Sequence, residues 1–147
     1  MGGSQDDIAS LKGEDVDWMN NTVSFVRKKT GVPVLVHLGA EALNIFKDLP
    51  AEGVLFPYLP SVWANDRATE FGSRCRQLGI NGVTLHSCRY AWAERAKTVG
   101  YPERFAQEAL GQNSKAVHRA YAKRALMKIP SLEDYEKRAA AKVEPAT

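Results

Sequence analysis

Residues 83–121 read VTLHSCRYAWAERAKTVGYPERFAQEALGQNSKAVHRAY, and the architecture turns on this stretch. Leu85, Cys88, Trp92, Ala96 and Val99 recur at spacings of three and four, which predicts a helix over 84–99 with one core-facing stripe. Gly100 is placed to end that helix. Pro102 suits the first turn of the next, which stops near Leu110-Gly111. Ser114 caps a third, running through Tyr121 to about Met127. His86 and Arg89 are three residues apart and so project from nearly the same helix face. An imidazole and a guanidinium side by side can hold a phosphate group and stabilise charge on it. Taken alone, the pair also describes two surface or capping residues, and Tyr121 alone describes a packed helix tyrosine.

Upstream, the period changes. Thr22-Val23-Ser24-Phe25-Val26-Arg27 alternates and is β-branched, and residues 32–38 form a second strand-like run, with Lys28-Lys29-Thr30-Gly31 between them. This is a hairpin pattern. Pro33 cannot donate a ladder bond, which places its strand at an edge or at a kink. Before the hairpin, Ser4 is placed as an N-cap with Asp6 and Asp7 in the first turn of a short helix, and Asn20-Asn21 reads as a turn. After it, residues 40–49 are helical, with Ala42, Leu43, Ile45, Phe46 and Leu49 mostly on one face. Residues 50–65 read as an irregular loop, and 66–78 as an amphipathic helix closed by Gly79. Beyond Pro130, Ser131 caps a charged helix over 132–142, followed by a frayed tail. The fold class is α+β, mainly α-helical with a small antiparallel β-hairpin or sheet, in one domain with a C-terminal helix and tail over 131–147.

The bulk numbers exclude several classes. The 147 residues suffice for one domain with a sizeable core. No apolar run approaches the ~20 residues of a membrane span, and no secretory pattern opens the chain. A membrane partner is therefore not expected, and the location expected is cytoplasmic. Cys75 and Cys88 do not form a metal-ligand cluster; we expect two free buried thiols rather than a disulfide. The net charge of +3 is too mild to identify a partner. Residues 66–124, however, hold eleven Lys and Arg against five acids, hence +6. A basic half of a compact domain is a phosphate-binding footprint, or else a solvated basic surface.

The order His86-x-x-Arg89, Gly100, Leu110-Gly111-Gln112 and Tyr121, nine residues past Gln112, resembles the C-terminal signature of the tyrosine recombinases, the phage-integrase family. That signature has a His-x-x-Arg helix, a helix-ending glycine, a Leu-Gly-His turn and a tyrosine nine residues past the histidine. Ser114 and Ala116 fall where the family commonly has small residues. Ile8-Ala9-Ser10-Leu11 followed by Glu14-Asp15-Val16-Asp17-Trp18 is similar to the family's E-I-x-x-L-x-W-x-D-I stretch. The hairpin with Lys28-Lys29-Thr30 and then Leu55-Phe56-Pro57 continues the likeness, which covers roughly residues 2–130.

The resemblance implies the fold of that family's catalytic domain, a site-specific DNA recombination activity and a prokaryotic or phage-type source. Tyr121 would be the nucleophile, and Arg89, His86 and Gln112 would hold the phosphate. Lys29, or failing that Lys28, would be the catalytic lysine that the family carries in its hairpin. Strand cleavage would proceed through a 3′-phosphotyrosyl intermediate without ATP, metal or other cofactor. Double-stranded DNA would be the partner, with Lys28, Lys115 and Arg119 as further DNA-binding residues. A homo-oligomer would form on DNA through the C-terminal helix.

Two positions depart from the family's pattern. Its first catalytic arginine, three residues before the acid at Asp7, is Ser4 here, and its second histidine is Gln112. Glutamine donates a hydrogen bond to a phosphate oxygen but carries no charge. His118, three residues before Tyr121, either partly substitutes or is an ordinary half-exposed histidine. The family also has helices and usually a DNA-clamping domain upstream, so the expectation is a catalytic domain truncated at its N-terminus. The alternative functions are a catalytically weakened or inactive DNA-binding remnant of the same fold, and a plain helical DNA-binding regulator.

Overall fold

The structure, a computed structural model, describes residues 1–126, 131–133 and 136. Ser4 caps the first helix, α1 (Gln5–Ala9), through a reciprocal box: its hydroxyl accepts from the Asp7 N–H and its own N–H donates to the Asp7 carboxylate. Three strands follow, β1 (Val16–Asp17), β2 (Thr22–Val26) and β3 (Pro33–His37), antiparallel in the order β1-β2-β3. The hairpin has the expected place and register, from Thr22 opposite His37 to Val26 opposite Pro33. Pro33 lies at the end of an edge strand, where its missing N–H breaks no ladder bond. Gly31, at φ 67°, supplies the left-handed turn residue. β1 is an addition to the expected hairpin. Two residues are too short to show an alternating pattern, and only pairing with β2 identifies them as a strand.

The remaining elements are α2 (Ala40–Phe46), α3 (Ala64–Gln77), α4 (Ser87–Thr98), α5 (Glu103–Leu110) and α6 (Lys115–Tyr121). α3 starts two residues before the expected 66. The preceding loop carries a 3₁₀ turn, Leu59–Ser61, and Leu55 pairs its N–H with the Leu11 carbonyl while burying its side chain. α4 starts at Ser87 rather than 84. α6 ends at Tyr121 in a turn rather than running to about 127, and Ser114 sits at its N-cap without a side-chain cap bond. The C-terminal helix expected over 132–142 lies largely outside the described residues. No helix among the described residues is long and apolar enough to cross a membrane.

Two apolar clusters form. Leu11, Val23, Phe25, Leu38, Phe46 and Leu55 lie under the sheet and α2, and Ala93, Leu110 and Ala122 lie among α4, α5 and α6. Each fully buried Leu or Phe contributes about 1.5–3 kcal/mol relative to leaving it in water. Two expected core positions are corrected: Ile45 is 62% exposed, and α4 buries Ala93 and Ala96 while Val99 is 78% exposed. The stripe on α4 is rotated because Arg89 points inward, where its guanidinium donates to the carbonyls of Gly2 and Leu110. Cys88 follows the rotation outward. The thiols are both free as expected, but only Cys75 is buried.

A polar bridge joins the two clusters. Along β2 the inward parity is Val23, Phe25 and then Arg27, which is 5% exposed. Its Nη1 donates to Asp7 Oδ2 at 3.1 Å, and its Nη2 to the carbonyls of Glu108 and Ala109 at 2.8 and 2.6 Å. Asp7 is 2% exposed. Burial by itself would raise its carboxyl; hydrogen bonds from Ser4 and Lys28 and the Arg27 charge outweigh that and hold it below its ordinary range. A group with a depressed folded pKa stabilises the fold above its unfolded pKa and loses that contribution as pH falls through the folded value. Arg27→Met leaves the Asp7 charge buried without its partner. The loss expected is about 3–5 kcal/mol at neutral pH, read by urea unfolding, and it should shrink in acid, where the variant's Asp7, buried without the Arg27 charge, takes up a proton more readily than the native one. Equal loss at pH 7 and pH 3 would sink this account.

Candidate active site

The C-terminal end of α5 organises the site. A helix end leaves its last carbonyls without intrahelical partners. Here Gly111, in the left-handed region at φ 64°, closes a Schellman turn, with Gln112 N–H on the Gln107 carbonyl and Gly111 N–H on that of Glu108. Arg27 takes the carbonyls of Glu108 and Ala109, and Arg89 takes that of Leu110. Two cations at a helix C-terminus also suit its dipole. A Cβ on Gly111 would lie 2.8 Å from Arg27 Nε, so the glycine answers both the backbone angle and the close approach of the arginine.

A cleft of about 590 Å³ opens beside this turn. It brings together Tyr121, His86, Arg89, Gln112, Lys29 and Lys28, drawn from α6, the start of α4, the turn after α5 and the β2–β3 hairpin. Asp6 and Asp7 also line it, but they pair with Arg67 at 2.7 Å and Arg27 at 3.1 Å. Lys28, Lys29 and Arg89 give the cleft its remaining positive character. The expected DNA-binding residues Lys115 and Arg119 are exposed on α6 and do not line it; Arg119 Nε is 3.5 Å from Glu103 Oε1.

His86 Nε2 lies 2.6 Å from the Tyr121 hydroxyl. His86 occupies the residue just before α4 and Arg89 its first turn, so the three-residue spacing directs both side chains to the cleft. Tyr90 stacks on Tyr121 with ring centroids 4.4 Å apart and meets His86 edge-on at 5.1 Å. These contacts limit the rotation of the phenol. Partial burial, and then the neighbouring Arg89 charge, hold the His86 imidazole below its ordinary pKa of 6.5. At neutral pH the ring is therefore uncharged and one of its nitrogens accepts a hydrogen bond.

His118 is corrected. It is 4% exposed rather than half-exposed, it does not line the cleft, and its Nδ1 is 2.8 Å from Gln112 Oε1. Ser4 lines the cleft, but its hydroxyl is engaged in capping α1. Arg27 also lines the cleft and was not singled out from the sequence. Its signal was there: a charged residue on the inward parity of an alternating strand.

No protein-family model matches the chain, and no curated protein matches it. Solved structures do. The chain is similar to XerA recombinase, with a TM-score of 0.63 and 18% identity over 99% of this chain and 53% of that one. It is similar to an integrase from mycobacterium phage Brujita, with a TM-score of 0.59 and 17% identity over 96% and 52%. It is similar to the Tn1549 transposon integrase in complex with a circular intermediate DNA, with a TM-score of 0.64 and 12% identity over 95% and 55%. The chain thus spans about half the length of each. At these identities the likeness is one of fold: the chain has the fold of the tyrosine recombinase catalytic domain.

Proposed function

We propose that the cleft cleaves and rejoins DNA, with the Tyr121 hydroxyl as nucleophile on a backbone phosphodiester. The observation that carries this is the 2.6 Å contact of Tyr121 with an uncharged His86 in a cleft that also holds Arg89 and Lys29. A phosphodiester is anionic and resists attack by a phenol, so the transition state needs positive groups around it. Arg89 supplies one; its guanidinium is anchored at two carbonyls, and the N–H groups left over are available to the phosphate. Gln112 supplies a neutral donor.

As Tyr121 Oη bonds to phosphorus, its proton passes to His86 Nε2. The bond from phosphorus to the 5′ oxygen breaks, and the Lys29 ammonium donates a proton to that oxygen. The 3′-phosphotyrosyl link retains the energy of the broken ester, so attack by a 5′ hydroxyl reverses the step without ATP. Double-stranded DNA is the partner, and Lys28, Lys115 and Arg119 add backbone contacts. A second reading, a DNA-binding remnant with weakened catalysis, is favoured by one observation: the Ser4 side chain caps α1 and brings no charge to the phosphate.

A nicked suicide duplex separates the two. A covalent protein–DNA adduct in the native chain, lost in Tyr121→Phe and reduced about 100-fold or more in Arg89→Gln, supports the enzyme. Duplex binding with no adduct at any protein concentration leaves only the second reading. Because the imidazolium cannot accept the phenol proton, adduct formation should fall as pH drops below 6.5 through the depressed His86 pKa. Arg89→Gln removes the like charge, so an NMR titration of His86 should show its pKa rising toward 6.5; an unchanged or lower value would contradict the assigned electrostatics. If residues 132–142 pack on a neighbouring protomer, light scattering should show oligomers on the DNA site, and monomers alone would rule that out.

A further inference from the structure

The two ends of the Gln112 side chain have unlike surroundings. Oε1 lies 2.8 Å from His118 Nδ1, whereas Nε2 is shut off from solvent and has no hydrogen-bond partner among the described residues. Leaving a buried amide donor unsatisfied costs about 1–3 kcal/mol, and because Gln112 lines the cleft, a small turn of the amide toward an anion bound there would relieve that cost. His118 is itself well held. It lies on α6 with 4% exposure, its N–H donates to the Ser114 carbonyl, and its carbonyl accepts from Ala122 N–H. Tyr121 follows on the same helix, within a turn of it.

The direction of the His118–Gln112 bond decides which end of the carboxamide serves the cleft. With a proton on Nδ1, His118 donates to Oε1 and the amide nitrogen is left to donate elsewhere. With the amide reversed, an oxygen lone pair would meet the phosphate and repel it. We infer that His118 is a positioning residue, which by donating Nδ1–H to Gln112 Oε1 holds the Gln112 amide nitrogen as a hydrogen-bond donor to a phosphodiester oxygen. This rests on the phosphoryl-transfer reading of the cleft. His118 never touches the phosphate; it acts through Gln112 and so makes a neutral side chain a directional donor.

The test uses the full chain and a pair of variants of similar bulk. His118→Asn keeps an N–H near the position of Nδ1, and His118→Gln carries its N–H farther out. Thermal unfolding establishes that both fold. His118→Gln should slow single-turnover adduct formation about 100-fold with duplex Kd within about 3-fold of the native value, since DNA affinity is spread over many phosphate contacts. His118→Asn should recover the rate to within about 3-fold. In a Gln112→Leu background the same His118→Gln change should add nothing, as for two residues acting through one contact. Equal rates in the Asn and Gln variants, or additive losses with Gln112→Leu, overturn the inference.

NMR of the Gln112 side-chain NH₂ group on adding a short DNA duplex separates this from the catalytic reading. A shift in the native chain and in His118→Asn, lost in His118→Gln, supports positioning even if no adduct forms. Movement of His86 and Tyr121 signals without Gln112 overturns positioning alone, and no movement of any of them overturns both.

Discussion

The structure depends on how the C-terminal end of α5 is closed. The carbonyls of Ala109 and Leu110 lie past the last intrahelical bonds, and that of Glu108 is otherwise met only by Gly111 N–H. Arg27, from the sheet half, and Arg89, from the helical half, satisfy them. Burying the Arg27 guanidinium and half-burying that of Arg89 for this purpose is expensive, and a well-packed apolar bridge could serve stability as well. What the arginines add is direction. A guanidinium presents its donors in a rigid plane, so it accepts only one arrangement of carbonyls and carboxylate. The distance and rotation between the two apolar clusters are thereby set. Asp7 completes the arrangement by neutralising Arg27 from α1, and Ser4 fastens Asp7.

The same closure builds the cleft. Gln112 is the residue after the left-handed Gly111, and the Schellman turn places it in the lining of the cleft. Arg89 has a double use: its inward reach anchors α5, and its remaining N–H groups lie at the cleft beside His86 and Tyr121. At position 4, where the resembling family has an arginine, the serine is instead a helix cap. The local positive charge is correspondingly lower, while the acid three residues on is kept and engaged by Arg27.

Much of this was legible in the sequence because it is written in local signals. The alternation of Val23, Phe25 and their neighbours, the turn at Gly31, the edge position of Pro33 and the cap at Ser4 follow from backbone preferences over a few residues. The expectation of one shared site for His86, Arg89 and Tyr121 came instead from the family resemblance, and the cleft holds all three. The misreadings share a cause. The stripe on α4 was assigned by hydrophobicity, whereas an arginine with carbonyl partners is buried more firmly than Val99. β1 has no periodicity of its own. His118 carries no mark that distinguishes a buried histidine from a surface one.

By itself, then, the sequence determined where most elements begin and end and the fold class, since short-range sterics and periodicity suffice for these, while the candidate site residues came from the resemblance to a known family. The tertiary structure alone decided that Arg27 reaches carbonyls up to 82 residues away, that Arg89 turns toward the end of α5, and that His118 faces Gln112 rather than the cleft. Each of these is a choice of hydrogen-bond partner for a long or ambivalent side chain. Such a choice depends on which orphaned carbonyls and amides packing brings within 3 Å, and no local pattern encodes that.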